Sequence, residues 1–119
     1  MSKEIVLNDY TFLVSETDEK GNIIFANDDF CKVAGYHIDE LIGQPHNIIR
    51  HKDMPKVAFK DLWETVKKGN IWTGYVKNRA KNGDFYWVYA TVFPTVTSEN
   101  TKGFLSRSEE RRVGKECLS

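Results

Sequence analysis

The sequence predicts an antiparallel α+β domain. Two short β-rich runs open the chain, helix-forming segments fill its middle, and two longer β-rich runs joined through Asn-Gly follow, with a fifth run beginning near the end. Thr11 to Thr17 and Asn22 to Ala26 are separated by Asp18-Glu19-Lys20-Gly21, a turn-forming set, and read as a hairpin. Asn27 then offers a side-chain acceptor at the head of DDFCKVAG. Asp28 and Asp29 fall in the first turn and Gly35 lies just past the end, so a short helix is expected. From Tyr36 to Asp53, Gly43 and Pro45 punctuate the chain, and one-turn helical pieces with irregular backbone are expected; such stretches often border a pocket.

Pro55 opens a clearer helix, Pro55 to Lys68, in which Phe59, Leu62, Trp63 and Val66 share one face and Gly69 terminates. That face needs a sheet to pack on. Ile71 to Ala80 and Phe85 to Pro94 supply it, joined by Lys81-Asn82-Gly83-Asp84. Lys102 to Ser106 reads as a fifth strand cut short at Ser106.

At 119 residues, 40% hydrophobic, the chain has one modest core. Lysine plus arginine and aspartate plus glutamate number 17 each, so no basic footprint exists for nucleic acid. No run of apolar residues is long enough to span a bilayer, and the N-terminus lacks a secretory apolar core, so a soluble cytoplasmic domain is expected with no insertion of this fragment in a membrane. Cys31 and Cys117 form neither a disulfide framework nor a metal spacing. The run RSEERRVGKEC from Arg107 resembles the translation of a sequencing adapter. Residues 107–119 therefore read as a non-native read-through tail, 11–106 as the domain and 1–10 as an N-terminal segment.

Alternation places Trp72, Gly74, Val76, Asn78 and Ala80 on one face of the third strand. Asn78 thus falls among apolar residues, where its amide either meets a planar ligand or reaches water at the strand end; the residues alone leave both open. On the fourth strand Tyr86, Val88, Ala90 and Val92 form a smaller set that, with Gly74 and Trp72, suits a slot for a flat ring; the competing reading is a core filled by Phe59, Leu62 and Trp63. The opposite set, Phe85, Trp87, Tyr89 and Phe93, is apolar enough to suggest a docking surface. His46, His51 and Asp53 are metal ligands by type but match no zinc spacing; Arg50 and His51 suit phosphate, or the loop is a solvated basic one. Ser15 and Cys31 lack an evident base and no catalytic motif is present, so a non-enzymatic reading follows.

The blocks FANDDF, GQPHNIIRHKDMPKVAFKDLW and GNIWTGYVKNRAKNGDFYWVYA together resemble the PAS domain of bacterial aerotaxis receptors over positions 11 to 106. The resemblance implies a five-stranded antiparallel sheet with short helices on one face and noncovalent FAD as a redox sensor. By position it implies that Asn27 and Asn78 lie near the isoalloxazine. Arg50, His51 and Asp53, in the block that also holds His46, correspond to a group needed for FAD, and Trp63 and Trp72 to pocket tryptophans. It further implies a downstream signalling region of HAMP or methyl-accepting type, with a homodimer as another partner. The long helix carries no histidine for haem, and PHNIIRH lacks the cysteine of light-sensing flavin domains. A cofactor-free interaction module, or the sensor of a kinase or cyclic-dinucleotide protein, is the alternative.

Overall fold

The computed structural model describes residues 2–8, 10–96 and 100–109. Five strands, β1 (Phe12–Asp18), β2 (Ile23–Ala26), β3 (Trp72–Arg79), β4 (Phe85–Val96) and β5 (Lys102–Glu109), form one antiparallel sheet in the order β2-β1-β5-β4-β3. Helices α1 (Asp28–Ala34), α2 (Ile38–Leu41) and α3 (Lys56–Lys67), with a 3-10 turn at His46–Ile49, cover one face. The expected hairpins and helices are present within a residue or two of their boundaries.

Backbone chemistry sets the turns. Gly21 closes the β1–β2 hairpin at φ 88°, and a Cβ there would stand 3.3 Å from the Trp63 ring, so conformation and space both require glycine. Gly83, in the Asn-Gly pair between β3 and β4, adopts φ 95°. β4 runs on through Pro94 to Val96. Its pairing with β3 ends at Trp72 opposite Val92, so Pro94 lies where β4 has a neighbour on one side only, a setting that tolerates a missing N–H.

Two boundaries differ from the sequence expectation. β5 does not stop at Ser106: Arg107, Ser108 and Glu109 pair with Val14, Leu13 and Phe12 on one side and with Thr91, Ala90 and Tyr89 on the other. A ladder is built from main-chain groups and continues wherever neighbours flank a chain of period two, whatever its charge. Residues 110–119 of the expected tail lie outside the described residues. The N-terminal segment belongs to the fold as well. Lys3 to Ile5 pair with Phe85, where β4 extends past the end of β5, and Leu7 enters the core.

The core joins Leu13 and Ile23 of the first hairpin, Phe30 and Ala34 of α1, Leu41, Ile49, Leu62 and Val66 from the helical layer, and Val76, Tyr86, Val88, Ala90, Val92 and Phe104 from the rest of the sheet. α1 is joined to β1 through Asn27. Its Oδ1 accepts from the amides of Phe30 (3.0 Å) and Val14 (3.1 Å), and its Nδ2 donates to the Phe12 carbonyl (2.8 Å). The side chain thus caps the helix and also continues the β2 edge beside β1. Asn27→Ala removes all three bonds and is expected to cost about 2 to 3 kcal/mol of unfolding free energy, measured by urea denaturation.

Candidate functional site

Between the sheet and α3 lies a cavity lined by Leu13, Ser15 and Thr17 of β1, Phe30 of α1, His46 to Arg50, Phe59, Leu62 and Trp63 of α3, and inward residues of β3, β4 and β5. It measures about 90 Å³ on the scale where one water needs roughly 10 to 15 Å³. The atom-free space reaches about 820 Å³ when the open mouth is included. The wall is mainly aliphatic and aromatic. Its small inward residues, Val76, Val88, Ala90 and Val92, leave the hollow that Phe59, Leu62 and Trp63 roof over: the aromatic face of α3 covers the space and does not fill it.

Several polar side chains interrupt that wall, Ser106 and Ser108 of β5 among them. Asn78 is 8% exposed and carries a carboxamide on the edge strand β3. It stands beside the Tyr86 hydroxyl, its cross-strand partner, without closing a hydrogen bond of good geometry. Burial raises the Tyr86 pKa far above the ordinary tyrosine value, with the nearby Tyr36 adding to the shift and Asn78 opposing it. Thr17 is 4% exposed, and its Oγ1 has no hydrogen-bond partner among the described residues. Ser15 Oγ lies 3.0 Å from His46 Nε2. The imidazole packs edge-on against Phe30, and although part of the residue reaches the surface, burial of the ring lowers its pKa to about 4. His46 is therefore neutral at pH 7.

Arg50 lines the cavity with its guanidinium 4.9 Å over the Phe59 ring. Its backbone bridges to Asn78, which docks the segment after the 3-10 turn on the edge of the sheet. His51 is buried beside that edge, its ring T-shaped to Phe85 and its Nδ1 accepting from the Asp53 amide at 3.0 Å. Asp53 is exposed and paired with Lys77 at 3.1 Å, and the Lys77 ammonium holds its carboxyl below the usual carboxylate range.

Of the sequence-derived candidates, His46, Arg50, Trp63 and Asn78 meet in this cavity. Asn27, His51, Asp53 and Trp72 do not line it. Asn27 spends its amide on β1 and α1, as described. The Trp72 indole lies over Gly74, where a Cβ would come within 2.7 Å of the ring, and its Nε1 donates to Asp61 at 3.0 Å. Gly74 thus makes room for Trp72 and not for a ligand. His46 and His51 face different surroundings, and no group of three or more metal-ligating side chains is assembled among the described residues.

Sequence reasoning placed neither Ser106 and Ser108 of β5 nor Ser15 and Thr17 of β1 at the cavity. For Ser15 and Thr17 the signal was available: alternation along β1 puts both on the face of Leu13, where aliphatic residues are expected. It also found no base near Ser15, yet His46 is hydrogen-bonded to it from a segment 31 residues away. With so low a pKa, His46 is a weak proton acceptor, and the pair reads as polar wall and not as a nucleophile with its base.

An antiparallel sheet with a helical layer on one face and a partly polar cleft between them forms an α+β module with an internal cleft. The PAS fold family matches residues 23–105, and the chain belongs to that family. The aerotaxis receptor of Escherichia coli (strain K12) is 54% identical over 100 residues, 84% of this chain and 20% of the receptor. The nitrogen fixation regulatory protein of Klebsiella pneumoniae is 28% identical over 86 residues, 72% of this chain and 17% of that protein. The chain thus spans about a fifth of the length of these curated relatives. Among solved structures, the PAS domain of a protein from Colwellia psychrerythraea superposes with a TM-score of 0.73 at 25% identity, covering 90% of this chain and 91% of that one.

Two outcomes follow from the geometry. Gly74→Ala drives a Cβ into the Trp72 indole and is expected to destabilise the domain by about 1 to 3 kcal/mol with a shift in tryptophan emission, read together in a fluorescence-monitored melt. Because His46 binds a proton less readily in the folded chain than unfolded, its contribution is fully present above about pH 6.5 and is lost as pH falls toward 4. The loss is at most about 3 kcal/mol. His46→Gln should flatten the stability profile between those limits in urea titrations. Carboxylates with lowered pKa, such as Asp53, act below that window.

Proposed function

We propose that the domain is a redox sensor that holds FAD noncovalently in the cavity and reports its state through the sheet to a downstream signalling region, in aerotaxis or a related bacterial pathway. The observation that carries the reading is Asn78: a carboxamide on the wall of an apolar hollow, with the Tyr86 hydroxyl as its polar neighbour. The orphaned Thr17 hydroxyl in the same cavity supports it. A heteroaromatic ring whose edge carries donors and acceptors offers partners to both groups, and the strong likeness to the aerotaxis receptor points the same way.

Bound, FAD supplies reversible uptake of electrons and protons. The chain's residues do the rest. Asn78 offers either an oxygen or an NH2 to the same position, so the orientation it favours depends on the protonation of the atom it meets. A buried bond left unmade costs about 1 to 3 kcal/mol, enough to bias a strand between two settings. Phe59, Leu62 and Trp63 exclude water from the roof, and Arg50 offers a fixed cation beside the wall for phosphate. The neutral Ser15–His46 pair gives the wall a donor and an acceptor without charge. Asn27, His51, Asp53 and Trp72 act from behind: Asn27 fixes the helix that brings Phe30 to the cavity, His51 and Asp53 shape the segment bearing Arg50, and Trp72 anchors α3 through Asp61.

The signal leaves by the other face of the sheet. There Tyr75 and Tyr89 stack edge to face, with Phe93 alongside, and Trp87 is 42% exposed. This aromatic surface suits a HAMP-type or methyl-accepting signalling region or a second copy of the domain. No described helix is long and apolar enough to cross a membrane; in this reading the domain is the cytoplasmic sensor of a membrane-anchored receptor. No substrate is turned over in this reading.

Protein purified without denaturation is expected to show flavin absorbance that bleaches with dithionite and returns in air, and to release FAD on unfolding. Asn78→Ala should lower FAD affinity by roughly 5- to 100-fold. Arg50→Ala should weaken FAD more than riboflavin, which lacks phosphate. A colourless protein that takes up no FAD from solution would favour the cofactor-free interaction module.

A further inference from the structure

We propose that Lys77 is a positioning residue for the cavity: its ammonium clasps Asp53 and so fixes the segment carrying Arg50 against the edge of the sheet. The inference rests on the cavity being a flavin site. β3 is an edge strand, and the chain after the 3-10 turn docks on it through the Arg50–Asn78 bridge and the His51 amide, which donates to the Lys77 carbonyl at 3.2 Å. That bond belongs to the bridge itself, so the main-chain contact between this irregular segment and the edge strand is short. Lys77 adds a tie on the far side of the edge, where its Nζ meets Asp53 Oδ2 at 3.1 Å.

Two features make this tie more than a passing surface pair. The Lys77 side chain is only 17% exposed, because it is laid across the Phe85 ring at 4.5 Å with Trp87 at 6.0 Å. Its partner is also constrained, since the Asp53 amide donates to His51 Nδ1. The clasp therefore joins three things on one short path: the outer aromatic face, the edge strand bearing Asn78, and the loop bearing Arg50. A pair with so exposed a carboxylate contributes little to global stability, so its effect is local placement.

The test uses the whole chain and two readouts, with Lys77→Met, Lys77→Arg, Asp53→Asn and the Lys77→Met/Asp53→Asn double variant. Without added cofactor, hydrogen exchange of the His51 amide is expected to quicken roughly tenfold in Lys77→Met, with β4 and β5 amides unchanged as the internal control for folding. FAD affinity should fall roughly three- to tenfold in the same variant. Lys77→Arg should restore both, Asp53→Asn should reproduce both, and the double variant should add nothing. Unchanged exchange in Lys77→Met overturns the clasp, and faster exchange with unchanged FAD affinity overturns its role in placing Arg50. A wild-type chain that takes up no FAD instead removes the flavin reading, and the exchange result then still decides whether the clasp holds the segment.

Discussion

A buried hydroxyl without a partner, on the same apolar wall as a carboxamide, carries a free-energy cost that the fold itself does not offset. Asn78 and Thr17 sit at inward strand positions that aliphatic side chains fill elsewhere on this sheet, and a buried hydroxyl without a partner, as at Thr17, costs about 1 to 3 kcal/mol. For a domain whose net stability is on the order of 5 to 15 kcal/mol, that is a substantial fraction. The surrounding features follow from keeping these groups in place. Small residues on β3 and β4 hold the space open, α3 spans it without entering, and Trp72 and Trp63 brace the middle of that helix against the sheet.

The sheet then works as a two-sided plate. Its inner face meets the cavity, its outer face presents aromatic rings, and the period of two along each strand makes neighbouring residues speak to opposite sides. Asn78 and Lys77 are adjacent on β3, so a small change of twist or register at the edge reaches both surfaces at once. An edge strand is the place for such a change, because it has a ladder on one side only and is the least constrained member of the sheet.

Most of the architecture was legible in local sequence because its determinants are local. Turn chemistry at Gly21 and Gly83, the Asn27 cap and the apolar face of α3 each act within a few residues. Cavity-lining residues were legible where a rule of alternation applied, as for Asn78, and through family likeness for His46, Arg50 and Trp63. What the sequence hid depends on contacts across the chain. Asn27 looked like a ligand contact, but its carboxamide is taken up by β1, which alternation cannot reveal. Trp72 and Gly74 looked like the walls of a slot, whereas the indole folds onto the glycine and fills that place itself. Ser15 gained a histidine from a distant turn. β5 ran past Ser106 because strands on both sides were there to receive it, a property of the sheet and not of the residues.

The central claim is that the Asn78 carboxamide meets a flavin. The most direct measurement is the side-chain amide signal of Asn78 in a proton–nitrogen correlation spectrum as FAD is added to the cofactor-free chain. The account predicts that this pair of resonances shifts on saturation and exchanges more slowly with solvent, as a donor does once it is engaged. An Asn78 signal that keeps its position and exchange rate while FAD binds would contradict it.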